Sequence, residues 1–513
     1  MDITIAYQRA LQRYHLKYLA LYHALREGIL NGSLASGTRL PSTRDLAVMY
    51  GISRGSVKEA YDMLLAEGYV DSAVGRGTFV MEQTPILPDE SPIDLQHQNP
   101  PFAKQKAPAL SAWGQRIMQI ERERDLQSTP VSAPVRDSAP QQPLISFQAG
   151  EVVLEGSSQN AWKSAMTAAG KDLQKPSADA TTAPVNGDEW LREAICHHVG
   201  RTRGITATPD QVVLCSGSME VITLLSQLLI HEQDKIVLEN PCYSGIYRAV
   251  TASGGQIHAA EIDQQGIVPQ DWDSKLLIVT PGRQFPTGAV LPLARRQHIL
   301  QWAASKGAWI IEDDYDSEFR WAGRPIEPLK ALDRAECVIY VGSFSKSMFS
   351  SLRLGFAILP VELAQALTAA KRLYDPLPPA RLEQRALARF MMRGDYVRHL
   401  RRMTRIYRSR YDVFQHEIQP LSELFHWHQN DCGLHAYAIW KHESAQYHHL
   451  MQTARLYGVT WRDAADYQLT PGPPSACFNF AHLTEQQIIE GVKRLCQAWD
   501  SIKHQYHGAT PRL

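Results

Sequence analysis

Three short stretches of this 513-residue chain carry residue types that do chemistry. The run Gly342-Ser343-Phe344-Ser345-Lys346, with Arg353 further on, sets a lysine just past the apolar residues Val338 to Val341. A lysine in a cleft is costly to bury and is rarely structural. Its amine can form a Schiff base with an aldehyde, while Ser343, Ser345 and Arg353 could hold a phosphate nearby. Taken alone, such a Ser-Lys pair is more often a surface lysine. The second stretch, Glu312-Asp313-Asp314-Tyr315-Asp316-Ser317-Glu318-Phe319-Arg320, follows the apolar run Trp309 to Ile311. So many carboxylates at the end of a buried strand cost free energy unless something binds them. A solvated acidic turn, a metal site and a cationic ligand are all open. No His lies in the run and Arg320 is its nearby cation, so a protonated pyridine ring is one suitable occupant: a facing carboxylate keeps the ring charged and makes it an electron sink. In the third stretch, Ser216-Gly217-Ser218-Met219 opens a long apolar helix ending near Ile230. Backbone amides at a helix start, with a glycine permitting close approach, form a phosphate seat. That signal is weak alone, because many strand-to-helix turns contain Gly and Ser.

Each stretch follows a strand-like apolar run. Gln211 to Cys215, Lys235 to Leu238, Lys275 to Val279, Trp309 to Ile311 and Val338 to Val341 alternate with helical segments, the pattern of an α/β domain with a largely parallel sheet. In such sheets chemistry gathers past the carboxyl ends of the strands. This body spans 110–504. Ahead of it, 81–109 is rich in proline and polar residues, a semi-rigid linker without a core. A second unpatterned stretch, Leu126 to Pro143, is read as a loop within the body.

The first 80 residues follow different rules. Leu19, Leu21, Tyr22, Leu25 and Ile29 recur at helical spacing until Asn31-Gly32. Ser42 caps a short second helix stopped by Gly51, and Ser53 caps a third with a buried stripe of Val57, Ala60, Tyr61, Leu64 and Leu65. Two strands follow, Tyr69 to Asp71 and Thr78 to Val80, around a Gly75-Arg76-Gly77 tip. Arg54, Gly55, Ser56 and Lys58 open the third helix, where a recognition helix presents side chains to the major groove. The head is placed at 14–80.

Lys plus Arg equal Asp plus Glu at 53 each, so any DNA contact must come from a local patch. The seven cysteines are scattered, with no pair at metal-ligand spacing, and read as reduced thiols in a cytoplasm. No run is apolar enough to span a bilayer, and the opening residues do not read as a signal peptide.

The head motifs Gly37-Thr38-Arg39-Leu40-Pro41-Ser42-Thr43-Arg44-Asp45-Leu46-Ala47, Ser53-Arg54-Gly55-Ser56-Val57 and Gly75-Arg76-Gly77-Thr78-Phe79-Val80 resemble the GntR family of winged-helix regulators. The three body stretches, with Thr280-Pro281 and Gln284-Phe285-Pro286-Thr287-Gly288 between them, resemble fold-type I aminotransferases. The whole resembles the MocR subfamily of GntR regulators. That resemblance implies an α/β body, with a large, mostly parallel sheet domain and a small C-terminal domain, behind a winged helix-turn-helix. It implies pyridoxal 5'-phosphate held by Lys346 as a Schiff base, Asp313 on the pyridine nitrogen, Tyr315 on the ring hydroxyl and Tyr243 stacked at the ring. Ser218, Met219, Ser343, Ser345 and Arg353 would surround the phosphate. Arg44, Arg54, Gly55, Ser56, Lys58 and Arg76 would meet double-stranded operator DNA, the chain would be a homodimer, and a small amine or amino acid would be the effector.

Three positions depart from the family. Thr181-Thr182-Ala183-Pro184-Val185-Asn186-Gly187 lacks the Tyr expected to reach a neighbouring subunit's phosphate. Arg283 stands where His is common. The stretch Pro471 to His482 lacks the arginine that usually clamps a substrate carboxylate, so either another arginine replaces it or the effector is not an ordinary α-amino acid. Three functions are weighed: a regulator sensing the cofactor or an amine that condenses with it, an aminotransferase with a localising head, and a regulator whose body serves only for dimerisation. The complete winged helix, which transamination does not need, favours the first.

Overall fold

A computed structural model describes residues 3–73, 76–81, 109–128, 143–148, 154, 156–174, 184–321, 326–378, 380–428 and 432–506. Gly75, most of the linker 81–109, most of the loop read at Leu126 to Pro143, and Thr181 to Ala183 lie outside these. The chain divides into two compact units, Met1–Ala107 and Pro108–Leu513.

In the first unit, helices α1 (Thr4–Tyr14), α2 (Lys17–Leu30), α3 (Thr43–Tyr50) and α4 (Arg54–Ala66) precede strands β1 (Val70–Ala73) and β2 (Gly77–Val80), which pair antiparallel. The caps are those the sequence indicates: Ser42 Oγ accepts from Asp45 N at 3.2 Å and Ser53 Oγ from Ser56 N at 3.0 Å. Between them Gly51, at φ +62°, ends α3 in the left-handed region that favours glycine. Helix α1 was not anticipated, because its apolar residues are interleaved with polar ones and form no continuous run. Ile3, Tyr7 and Ala10 nevertheless fall on one face and join the core formed by Leu21, Leu25, Val57 and Leu64, with Tyr7 meeting Tyr50 at 5.0 Å.

The second unit contains β3 (Ile145–Phe147), β4 (Val212–Cys215), β5 (Lys235–Asn240), β6 (Gln256–Asp263), β7 (Gly266–Ile267), β8 (Leu276–Val279), β9 (Trp309–Asp314), β10 (Val338–Ser343), β11 (Gly355–Ile358), β12 (Phe425–Trp427), β13 (His435–Trp440), β14 (Val459–Asp463) and β15 (Ser475–Asn479). The large sheet has the order β4-β11-β10-β9-β8-β5-β6-β7. Within it β11 runs antiparallel to both neighbours and β7 to β6, while β5, β6, β8, β9 and β10 are parallel. The central strands are buried on both sides, whereas β6 near the edge is largely open, so alternate residues of the central strands feed two cores. Val213 and Cys215 pack with helices Ser218–Leu229 and Val361–Tyr374. Val212 and Leu214 pack with helices Glu189–Arg203 and Arg381–Met392.

A smaller sheet, β12-β13-β15-β14-β3, takes its last strand from the start of the body, where Phe147 meets Phe414 and Phe478 at 6.0 and 5.8 Å. One correction concerns β9. The sequence reading ends it at Ile311, yet its ladder continues through Tyr340↔Glu312, Val341↔Asp313 and Gly342↔Asp314. Three carboxylates therefore lie within the strand, which is possible because most of the acidic run is matched by distant cations.

Candidate functional site

The turns after β4, β9 and β10 meet at the carboxyl end of the large sheet. Lys346, half-buried, lies in the turn after β10. That turn is anchored from both sides: Phe344 and Met348 are buried, Tyr396 Oη donates to Ser347 Oγ at 2.9 Å, and His399 Nε2 lies 2.8 Å from the Ser347 carbonyl. Ser345 N donates to Ser343 Oγ at 3.2 Å, folding the turn on itself.

After β4, Gly217 stands at φ +134° before helix Ser218–Leu229. A Cβ on Gly217 would come within 3.3 Å of Arg353 Nη2, and one on Gly355 would lie 2.9 Å from Ser218 N. The two glycines thus bring Arg353 beside the helix start opened by Ser218 and Met219. Amides and a guanidinium around one helix N-terminus suit a phosphate.

The acidic run divides according to its partners. Glu312 accepts from Leu329 N and Lys330 N, both at 2.9 Å, and lies 3.9 Å from Arg296. Asp314 takes the Tyr340 hydroxyl at 2.5 Å and Arg203 at 3.3 Å. Asp316 pairs with Arg283 at 2.9 Å. Glu318 has the Arg203 charge near it. Asp313, Asp316 and Glu318 each have one buried oxygen without a hydrogen-bond partner, but Asp313 differs in that only carboxylates, and no cation, act on it. Burial, followed by the carboxylates of Asp314, Asp316 and Glu239, pushes its pKa up to about 7. Among the described residues no cluster is arranged to hold a metal ion. A buried acid surrounded by like charge at a strand end is a seat for a cation, and a pyridinium nitrogen meets that requirement.

Tyr315 accepts a hydrogen bond from Arg283 Nη1 at 3.1 Å. Phe285 is edge-on to Tyr243, Tyr315 and Tyr467 at 5.6, 5.6 and 4.9 Å, and Tyr243 remains 42% exposed. His435 Nε2 lies 3.0 Å from the Pro286 carbonyl, and burial and then Arg283 hold its pKa well below the usual imidazole value. Glu239, which accepts from Thr280 N and Oγ1 at 3.0 and 2.6 Å, braces the loop after β8.

Sequence reasoning missed these long-range partners. It named Arg320 as the nearby cation of the acidic run; Arg203, Arg283 and Arg296, from distant parts of the chain, also lie beside its carboxylates. Only Arg283 carried a local signal, its departure from the family residue. In the head, Arg44, Arg54, Gly55, Lys58 and Arg76 are exposed and Ser56 is half-buried at the α4 start.

Comparisons with known proteins agree with this geometry. The family model for aminotransferase class I and II matches residues 142–495, and that for bacterial regulatory proteins of the gntR family matches 17–80. The probable rhizopine catabolism regulatory protein MocR of Rhizobium meliloti is 30% identical over 96% of this chain and 95% of its own. The pyridoxine biosynthesis transcriptional regulator PdxR of Corynebacterium glutamicum is 30% identical over 78% of each chain. Among solved structures, the α-aminoadipate aminotransferase LysN of Thermus thermophilus superposes with a TM-score of 0.63 at 22% identity, covering 74% of this chain and 97% of its own, a likeness of fold. This chain belongs to the MocR subfamily of GntR transcriptional regulators, with a gntR-family DNA-binding head fused to a body of the aminotransferase class I and II family.

Proposed function

We propose that this regulator carries pyridoxal 5'-phosphate on Lys346 and that uptake of a small amine or amino acid by the loaded body alters how paired heads hold an operator. The observation that carries the reading is Asp313, whose buried Oδ1 has no protein partner while its neighbours in the acidic run have cations beside them. When bound, the cofactor supplies an aldehyde that condenses with primary amines and a ring that withdraws electrons.

The chain's own groups do the rest. Asp313 holds the proton of the pyridine nitrogen. Tyr315, accepting from Arg283, is left to donate its own proton toward the ring oxygen. Tyr243 covers the ring at the mouth. Ser218, Met219, Ser343, Ser345 and Arg353 surround the phosphate. Residues 14–80 form the reading head, in which Arg44, Arg54, Gly55, Ser56, Lys58 and Arg76 meet double-stranded DNA. The linker is 81–109, and 110–504 is the effector and dimerisation body of a cytoplasmic homodimer. Among the described residues no helix is long and apolar enough to cross a membrane. The regulator's targets are genes of vitamin B6 or amine and amino-acid metabolism, a reading supported by the pyridoxine biosynthesis named for PdxR and the catabolic role named for MocR.

The test is visible absorption of the cofactor-loaded protein during addition of amines and amino acids without a keto acid, beside Lys346→Ala. A persistent band shift in the native protein, absent from the variant, is expected. Repeated bleaching that a keto acid reverses would identify a transaminase instead.

A further inference from the structure

The site already contains a buried guanidinium, and what it is bonded to defines the class of effector. Arg283 is 2% exposed. Its Nη1 meets Asp316 Oδ2 at 2.9 Å, donates to Tyr315 Oη at 3.1 Å and faces His435 Nδ1 at 3.1 Å; its Nη2 donates to the His435 carbonyl at 2.8 Å. Its Nε makes no hydrogen bond and lies against Gly433, where a Cβ would stand only 2.3 Å away, so the missing side chain makes room for the guanidinium and a single N–H is left over. With His435 Nε2 donating to Pro286, Nδ1 accepts from Arg283 and the ring brings no charge. The guanidinium is thus engaged from the large-sheet side by Asp316 and Tyr315, and from the small sheet by His435 and Gly433.

Among the described residues, three other arginines are already committed. Arg353 belongs to the phosphate cradle. Arg462 is 41% exposed in its side chain and pairs with Asp466 at 3.4 Å. Arg410 donates to the Ala481 carbonyl. Strand β15, paired with β13 through Tyr437↔Cys477, carries the buried thiol of Cys477 where a cation could have entered. A carboxylate leaving water needs an uncompensated cation or several free donors, and taking Arg283 would strand Asp316 as a buried charge.

We propose that the effector of this chain is a primary amine with no carboxylate beside its amino group, the Arg283–Asp316 pair leaving no positive charge for such a group. This rests on the cofactor reading above and goes further in naming the ligand class.

The experiment uses the full chain loaded with pyridoxal 5'-phosphate. Borohydride reduction and peptide mapping first establish that Lys346 carries the cofactor; failure there overturns the cofactor reading itself. The loaded protein is then titrated with matched pairs differing only in the carboxylate: phenethylamine and phenylalanine, tyramine and tyrosine, isobutylamine and valine. The visible band and the melting temperature are followed. The amine is expected to act at a roughly tenfold or lower concentration than its amino acid in at least one pair, with no amino acid leading in any. An amino acid that equals or outperforms its amine overturns the inference, as does a loaded protein that responds to no member of any pair. Asp316→Asn, which frees the Arg283 charge, is expected to move the ratio roughly tenfold toward the amino acid. Should that variant not fold, the native comparison still decides.

Discussion

Asp313 and Asp316 are neighbours in one acidic run, and burial raises the pKa of both, but their partners differ. Asp316 has Arg283, whereas Asp313 has other carboxylates. For Asp313 the folded pKa, about 7, lies above the ordinary 3.8. As pH rises through that window the unfolded chain releases a proton that the folded chain keeps, so the folded state loses stability toward neutral pH. Without cofactor, Asp313→Asn is therefore expected to melt a few degrees above the native protein near pH 8, the gap shrinking toward pH 5. With cofactor bound the order should reverse, because only the native carboxylate pairs with the ring cation. Melting curves across pH, with and without cofactor, check both halves. The runs that hold Lys346, Asp313 and Tyr315 could be singled out in the sequence because they are local. The partners that set their charge could not be: Arg203 and Arg283 lie on other elements, and nothing near them in sequence signals the contact.

Elements matter here chiefly through close approach. Gly355 begins β11, and a Cβ there would meet the backbone of Gly217 at 2.7 Å. Gly355→Ala is expected to push β11 from the helix start and weaken cofactor binding roughly tenfold or more, with far-ultraviolet circular dichroism little changed; equilibrium dialysis of the cofactor measures it. In the head, Ser53→Ala removes the cap of α4 and should cost about 1 kcal/mol in denaturant unfolding of that unit. Removal of residues 1–14 should also destabilise the head, since it uncovers the core that Ile3, Tyr7 and Ala10 complete. Apolar runs and caps made most of these elements readable. Strand β9 beyond Ile311 was not, because acidic residues look like a turn until their cations are known. Helix α1 was not because its apolar residues are interleaved with polar ones, and β3 was not because a three-residue strand gains its identity only from pairing with β14.

At the scale of the whole molecule, two units with unrelated folds must act as one. The proposed head surface predicts strong salt dependence, and Arg54→Ala or Lys58→Ala should each reduce the slope of log affinity against log salt by about 1 where the lost contact is to phosphate. In the proposed function, cofactor chemistry at Lys346 is read out at DNA. The direct measurement takes genomic fragments selected by the native chain and determines affinity for one of them by fluorescence anisotropy, with and without pyridoxal 5'-phosphate, for the native protein and for Lys346→Ala. A cofactor-dependent change of roughly tenfold in the native protein, absent from the variant, is the predicted result. Equal affinity in all four cases would contradict the account.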